Sequence, residues 1–136
     1  MRVTLSLRGD YAVRAMLALG AMDDGAAVSA RRIAERADIP ARFVAHVMSD
    51  LGRAGLVVGT TGRRGGYRLA RSAQDIDLLA IVDAVEGRDD SPRCVLRGGP
   101  CDVEGRCAVH DAFFGATTAV RDELRRSSLA ELLARA

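Results

Sequence analysis

Two short amphipathic segments are separated by an Asp-Ile-Pro sequence at residues 38–40, and this break constrains the fold more than any other feature of the chain. Proline fits the first turn of a helix but disrupts a helix interior. We therefore predict one helix over residues 30–37, with Ser29 as its N-cap, and a second helix over residues 41–53 that Gly55 ends.

The second of these helices has an apolar face and a polar face. Apolar residues recur at helical spacing, so they are expected to pack against the core and to leave the other face open. The apolar face carries Phe43, Val44, Val47, Met48 and Leu51. The polar face carries Arg42, Ala45, His46, Ser49 and Arg53.

A β-hairpin is predicted directly after this helix, with strands at 56–58 and 67–70 and a turn rich in glycine and arginine at 61–66. One more helix, over residues 8–22, precedes the helix pair, and another, over about 76–86, follows the hairpin. Helix, break, helix and hairpin is the order of a winged helix-turn-helix. The predicted fold class is therefore mostly α, with a small β-hairpin wing.

The rest of the chain divides into two parts. Residues 88–106 contain glycine, proline and two cysteines, and they are predicted to form an irregular loop. A long helix begins near Cys107, and a shorter apolar segment follows it. The predicted organisation is a winged helix-turn-helix domain at 1–87, a cysteine-containing loop at 88–106, and a long helix with a terminal segment at 107–136.

Positive charge is concentrated in the winged domain. Residues 1–75 hold twelve Arg against seven acidic residues, whereas residues 76–136 hold eight Arg against eleven. Residues 40–73 hold six Arg and a single acid, Asp50. A basic surface on a helix-turn-helix unit is typical of phosphate binding, so the winged domain is predicted to bind double-stranded DNA.

The second helix of a helix-turn-helix lies in the major groove, so its polar face is predicted to contact base edges and, at its end, a phosphate. The arginines of the hairpin turn are predicted to reach the minor groove or the DNA backbone. The candidate DNA contacts are Arg42, His46, Ser49, Arg53, Arg63 and Arg64. Two alternatives stay open, namely a solvated basic face and a winged domain that docks a protein.

Several function classes are not supported by the sequence. No apolar run approaches the roughly 18 residues that cross a bilayer. The first residues have neither the long apolar segment nor the cleavage site of a signal peptide, so a cytoplasmic location is expected. There is no phosphate-binding glycine loop and no Ser/His/Asp or paired-carboxylate arrangement. We therefore predict no enzyme, no catalytic residue and no small-molecule substrate.

The three cysteines of the chain, Cys94, Cys101 and Cys107, lie within fourteen residues. Thiolate sulfur is a soft ligand that favours zinc, copper(I) and iron–sulfur clusters. Disulfides are rare in the cytoplasm, so this spacing indicates metal binding or redox chemistry. The alternatives are a structural zinc site, a thiol–disulfide switch without metal, and three unrelated thiols in a loop.

Zinc and iron–sulfur clusters usually take four protein ligands, so three cysteines need a fourth partner. His110 is the first candidate, because a helix that began at Cys107 would place both residues on one face. Asp10, near the start of the first helix, is the second candidate and could arrive from another subunit. Asp102 and Glu104 lie within the loop, but carboxylates are harder ligands.

Motifs along nearly the whole chain resemble the Rrf family of winged helix-turn-helix transcription regulators, of the IscR, NsrR and RirA type. Each motif is weak, and their order and spacing together carry the resemblance. They are Met1-Arg-Val-Thr, Gly9-Asp-Tyr-Ala-Val13, Ile33-Ala-Glu-Arg, Ile39-Pro, Leu51-Gly-Arg-Ala-Gly-Leu-Val57, Arg64-Gly-Gly-Tyr-Arg-Leu-Ala-Arg71 and Ile76-Asp-Leu-Leu-Ala-Ile-Val-Asp-Ala-Val-Glu-Gly87.

The resemblance implies a homodimer that binds a near-palindromic operator, and a 2Fe–2S or 4Fe–4S cluster that controls operator affinity. Sensing of redox, nitric oxide or iron status is compatible with it. It also implies that the long C-terminal helix is a dimerisation helix that pairs with its symmetry mate. The apolar residues available for that pairing are Ala108, Val109, Ala112, Phe113, Ala116, Ala119, Val120 and Leu124.

The resemblance places the three cysteines at the cluster ligands of the family and leaves the fourth ligand open. His110 stands where the IscR type has a histidine, and Asp10 stands where the NsrR type has an aspartate donated across the dimer. The gap between Cys94 and Cys101 is one residue longer than in the best-known members. Ala45-His46 replaces a Glu-Gln pair of the IscR type, so the operator preference of that type does not carry over.

Overall fold

The computed structural model describes residues 1–88, 93–96, 98–99, 101 and 107–136. Most of the loop predicted at 88–106 lies outside these residues. The helices are α1 (Leu7–Ala21), α2 (Ala30–Ala37), α3 (Ala41–Arg53), α4 (Leu78–Glu86), α5 (His110–Arg126) and α6 (Leu129–Arg135). The strands are β1 (Val57–Thr60) and β2 (Gly66–Leu69), and a 3-10 turn at Ala73–Asp75 lies between β2 and α4.

The helix-turn-helix pair α2–α3 has the bounds predicted from the sequence, and its ends have clear physical causes. The Ser29 Oγ accepts a hydrogen bond from the Arg32 N–H at 3.2 Å and so caps α2. Asp38 ends α2 in the left-handed conformation, with φ of 53°. Pro40 precedes α3 without a side-chain cap. The mostly α fold with a winged helix-turn-helix is confirmed.

The β1–β2 hairpin, or wing, is hydrogen-bonded to Val28, which lies just before the N-cap of α2. Val57 pairs with Leu69 and Thr60 with Gly66 in an antiparallel register. Val28 adds a bridge to Tyr67 through two backbone hydrogen bonds of 2.8 Å. Gly66 lies directly against this bridge, where a Cβ atom would be 2.3 Å from the Val28 carbonyl oxygen. The absence of a side chain at Gly66 therefore permits the wing to dock.

The core is aliphatic and is centred on α1, which contacts α2, α3, α4 and α6. Its largest fully buried side chains include Met16, Leu19, Ile33, Leu51 and Leu129. Leu129 belongs to α6, so the C-terminal segment returns to complete the core of the winged domain. The Leu129 N–H donates to the Ile76 carbonyl at 2.7 Å, and the Leu78 N–H donates to the Ser127 carbonyl at 2.9 Å.

Two helices begin later than the sequence predicts. Asp77 caps α4 by accepting a hydrogen bond from the Ala80 N–H at 2.8 Å, so Ile76 lies before the helix in extended backbone and is still buried. α5 begins at His110 and not at Cys107, whose carbonyl accepts a hydrogen bond from the His110 N–H at 3.0 Å. Cys107 and His110 are therefore joined by a turn that precedes the helix.

The α5 helix has no buried residue in the single chain. Ala112, Phe113, Ala116 and Ala119, which the sequence assigned to a pairing face, are all exposed. No helix among the described residues is both long and apolar enough to cross a membrane.

Candidate metal centre and nucleic-acid interface

The polar face of α3 is exposed, as the amphipathic pattern predicts. Val44, Val47, Met48 and Leu51 are buried, whereas the candidate base contacts Arg42, His46 and Ser49 are exposed. The Arg42 guanidinium lies over the Phe43 ring, 5.0 Å from its centroid. This stacking restricts the arginine side chain before any ligand binds.

The turn of the wing presents the other predicted DNA contacts. Arg63 and Arg64 lie between β1 and β2 and are exposed, and Arg68 on β2 is exposed as well. The hairpin is held by the bridge at Val28, the residue before Ser29, which caps α2. The wing and the helix pair are therefore fixed to each other by backbone hydrogen bonds.

The single acid of the basic region, Asp50, is buried and binds two arginines. One carboxylate oxygen accepts a hydrogen bond from Arg8 of α1, and the other accepts one from Arg53 of α3. The exposed fraction of the Asp50 side chain is 8%, against 63% for Arg8 and 73% for Arg53. Sequence reasoning named Arg53 and missed Arg8.

A signal for the Asp50 contacts exists in the sequence. Arg8 lies in the first turn of α1 and Asp50 in the last turn of α3, and the helix dipole disfavours both placements. Charges placed against the dipole indicate partners on another element. The folded chain supplies those partners by bringing the start of α1 to the end of α3.

The three cysteine sulfurs lie together. The Sγ atoms of Cys94 and Cys107 are 3.8 Å apart, those of Cys101 and Cys107 are 3.5 Å apart, and all three lie within 4.8 Å of one another. Cys94 and Cys101 are buried, and no disulfide joins the three thiols. Two ligands of a tetrahedral ion with bonds of about 2.3 Å lie about 3.8 Å apart, so the thiol group fits a thiophilic metal.

The pKa of the Cys101 thiol is raised above its ordinary value. The backbone N–H of Cys107 acts to lower it, but desolvation and the neighbouring thiols of Cys107 and Cys94 together raise it. A thiol must lose its proton to bind a metal, so metal binding here competes with protons.

The candidates for the fourth ligand lie in different places. His110 lines the same cavity as the three cysteines, a space of about 320 Å³ that Phe113 and Phe114 also line. The His110 ring stacks on Phe114, with 6.0 Å between centroids. Asp102 and Glu104 lie outside the described residues.

Asp10 does not line this cavity in its own chain. Its carboxylate accepts a hydrogen bond from Arg14 at 2.6 Å, and Arg14 also donates to the backbone carbonyl of Asp38 at 2.8 Å. Asp10 therefore orients an arginine that binds the C-terminal end of α2. Asp10 and the three cysteines therefore do not line a common cavity within the described part of one chain.

A side chain that the sequence did not single out links α4 to α1. The Ser6 N–H donates to the Glu86 carboxylate at 2.7 Å, and Ser6 is the N-cap of α1. Gly9 makes this approach possible, since a Cβ atom there would lie 2.4 Å from the same carboxylate oxygen. The end of α4, from which the chain continues toward the cysteines, thus holds the start of α1.

Comparison with known proteins identifies the family. The family model for Rrf2, described as an iron-dependent transcriptional regulator, matches residues 5–135. The IscR regulator of Vibrio vulnificus (strain YJ016) is 32% identical over 129 residues, which cover 95% of this chain and 76% of that protein. IscR of Pectobacterium carotovorum subsp. carotovorum (strain PC1) is 33% identical over 129 residues, covering 95% and 78%.

Solved structures agree with this result. T. potens IscR has a TM-score of 0.78 at 26% identity, and the match covers 98% of this chain and 88% of that one. CymR, described as the global cysteine regulator of B. subtilis, has a TM-score of 0.80 at 24% identity over 99% of both chains, and it supports the fold alone. The chain therefore belongs to the Rrf2 family, whose members are DNA-binding transcription regulators and not enzymes.

Proposed function

We propose that this protein is a cytoplasmic, homodimeric transcription regulator whose operator affinity is controlled by an iron–sulfur cluster. The observation that carries the proposal is the convergence of the Sγ atoms of Cys94, Cys101 and Cys107 within 4.8 Å in a chain of the Rrf2 family. Bound there, a 2Fe–2S or 4Fe–4S cluster supplies iron that responds to redox, nitric oxide or iron supply.

The DNA contacts follow from the exposed residues of α3 and the wing. Arg42, His46 and Ser49 read base edges in the major groove, and Arg63 and Arg64 contact the minor groove or the backbone. Arg53 binds a phosphate. The support for these roles is their exposure on one helix face and one hairpin turn, both fastened to the same core.

Pairing of two α5 helices explains why α5 has no fully buried residue in one chain. Phe113 and Phe114 are 37% and 61% exposed, next to exposed alanines on the same helix. A second copy of the chain would cover this surface. If Asp10 and not His110 completes the ligand set, the same pairing would place Asp10 of one subunit near the cysteines of the other. Two winged domains related by a two-fold axis bind the two halves of a near-palindromic operator.

A route from the cysteine segment to the DNA-binding helix runs through side-chain contacts in one chain. Glu86, at the end of α4, accepts a hydrogen bond from Ser6, the N-cap of α1. Two residues further on, Arg8 binds Asp50 of α3. A shift at the end of α4 therefore moves α1 and α3 together.

Such a shift changes the separation of the two α3 helices in a dimer. Half-sites on DNA lie about 34–36 Å apart, so a small change in that separation alters operator affinity. Only a difference in affinity between the cluster-bound and cluster-free states can drive the response. The Ser6–Glu86 and Arg8–Asp50 contacts transmit the change between the two states to α3. The cysteines hold the cluster that distinguishes the states.

The decisive experiment compares cluster-loaded and cluster-free protein on the same DNA. We would purify the protein without air, record its absorption spectrum, measure iron and sulfide, and select a duplex from a random library with the loaded protein. We expect visible absorption bands together with bound iron and sulfide. We also expect the affinity for the duplex to change when the cluster is removed. Protein that stays colourless after supply of iron and sulfide would refute the cluster.

Matched variants separate DNA binding from cluster binding. The chain has two histidines, of which His46 lies on the DNA-binding helix and His110 lies beside the cysteines. His46→Ala is expected to weaken DNA binding and to leave iron and sulfide content unchanged. Cys101→Ala is expected to abolish the visible bands. Loss of bands in His110→Ala but not in Asp10→Asn would assign the fourth ligand to His110, and the reverse would assign it to Asp10.

A zinc site is the second candidate, because the sulfur spacing also fits a single ion. Distances of 3.5 and 3.8 Å between Sγ atoms suit a single tetrahedral ion without movement of the thiols. A colourless protein that holds one zinc per chain, lost in Cys101→Ala, would establish this alternative. A colourless, metal-free protein whose thiols form a disulfide in air would indicate a thiol switch.

A further inference from the structure

We propose that Asp50 is a positioning residue for DNA binding, which holds Arg8 and Arg53 together as a pair that binds one phosphate of the DNA backbone. This inference rests on the proposed function. It adds Arg8 to the DNA contacts and gives a role to the one buried acid of the basic region.

Asp50 is buried at an energetic cost. An ionised carboxylate withdrawn from water is strongly destabilising unless it is paired and hydrogen-bonded. Asp50 is the buried charged side chain among the described residues, and both of its oxygens are used by guanidinium groups. The buried Asp50 carboxylate is therefore stabilised by two partners, Arg8 of α1 and Arg53 of its own helix α3.

The two arginines that bind Asp50 keep donors for a further acceptor. Arg8 and Arg53 carry like charges and would repel each other if nothing lay between them. The carboxylate of Asp50 compensates this repulsion and leaves the three groups with a net charge of +1. A guanidinium has five N–H donors, and each arginine contacts Asp50 through one nitrogen, so other donors remain for an acceptor.

The arginine pair faces solvent beside the polar face of α3. The carboxylate lies inside and the arginine side chains are mostly exposed, so the free donors face solvent. Arg53 ends α3, whose polar face carries the candidate base contacts, and the pair therefore lies beside the surface proposed for DNA. Guanidinium groups match the geometry of phosphate oxygens. Phosphate contacts fix the register of a protein on the duplex without reading its sequence.

The test exploits the sign of a charge change. Asp50→Asn adds one positive charge per subunit, and by charge alone it would tighten DNA binding. The proposal predicts weaker binding, because the amide no longer holds both guanidinium groups. We expect about tenfold loss of affinity, which corresponds to about 1.4 kcal/mol.

The probes are two 30-base-pair duplexes, one selected by the wild-type protein and one scrambled. Both should lose affinity alike, since phosphate contacts are independent of sequence. The slope of log affinity against log salt should fall in magnitude by about 1 to 2, for one lost phosphate contact per subunit of a dimer. Unchanged or tighter binding with an unchanged slope would overturn the proposal, even if the variant is less stable to heat.

The matched control is Glu35→Gln, which makes the same charge change at an exposed acid paired with Arg31 on α2. It should leave affinity unchanged or slightly higher. If Asp50→Asn does not fold, Arg8→Ala removes an exposed side chain and should give the same loss of affinity and slope. Normal affinity and slope in Arg8→Ala would refute the inference while the wild type still binds, whereas a wild type that binds neither duplex would refute the proposed function and this inference with it.

Discussion

Substitution of Gly66 by alanine tests how the wing is attached to the helix pair. A Cβ atom at this position would lie 2.3 Å from the oxygen and 2.5 Å from the carbon of the Val28 carbonyl, and 2.9 Å from the Ser29 nitrogen. All three are backbone atoms, so no side chain can rotate away. The strand β2 must move from Val28, and the two 2.8 Å hydrogen bonds between Val28 and Tyr67 must break.

The magnitude follows from these contacts. Each lost hydrogen bond costs about 1 kcal/mol, and the positive φ of 155° at Gly66 adds about 1 kcal/mol for a residue with a side chain. The free energy of unfolding should fall by about 3 kcal/mol. For 136 residues at about 2.1 cal/mol/K each, this corresponds to a decrease of about 10 °C in Tm.

Gly62→Ala is the matched control, because Gly62 has a φ of 103° in the same hairpin and a Cβ atom added there would meet no other atom within 4 Å. It should cost about 1 kcal/mol, or about 3 °C in Tm, from backbone strain alone. Circular dichroism melting of both variants supplies the measurement. Equal shifts in the two variants would show that contact with Val28 does not hold the wing and that the reasoning is wrong.

Three further predictions concern the cysteines and the C-terminal helices. In metal-free protein, the raised pKa of Cys101 lowers its thiolate fraction near neutral pH. The alkylation rate of Cys101, followed by mass spectrometry, should therefore keep rising to higher pH in the folded protein than in the unfolded chain. A rate profile shifted to lower pH in the folded protein would contradict this. Leu129→Ala should lower the free energy of unfolding in urea by about 2–5 kcal/mol, because this side chain is fully buried, and a change below 1 kcal/mol would mean that α6 is dispensable to the core. Arg121→Ala removes a two-point ion pair with Asp83, at 3.1 and 2.8 Å, that joins α5 to α4, and should lower the free energy of unfolding by about 1 kcal/mol. Arg126→Ala is the control, because its pair with Glu123 is exposed, and it should lower the free energy of unfolding by less than about 0.5 kcal/mol. Equal losses in the two variants would argue against the α4–α5 link.

The local signals of the sequence were sufficient for the winged domain. The proline at residue 40, the N-cap at Ser29 and the period of the apolar residues in α3 act over a few residues, so they can be read without the fold. They predicted α2 and α3 with their observed bounds. The start of α5 was placed three residues early, because the chain between Cys107 and His110 has no capping side chain to mark the boundary.

The candidate sites were predicted in part. The sequence named the three cysteines because they are close along the chain, and it named the arginines of α3 and the wing because they lie on exposed faces. It did not find Arg8 or Glu86, whose partners are 42 and 80 residues away along the chain. Their placement depends on how α1 packs between α3 and α4.

The sequence by itself determined the winged helix-turn-helix, the basic character of its surface and the membership of the cysteines in one short segment, because these properties depend on neighbours along the chain. Only the tertiary structure decided that Asp50 joins Arg8 to Arg53, that Val28 fastens the wing, and that Leu129 of α6 completes the core. Each of these is a contact between distant segments, formed when the apolar faces of α1, α3, α4 and α6 are buried against one another.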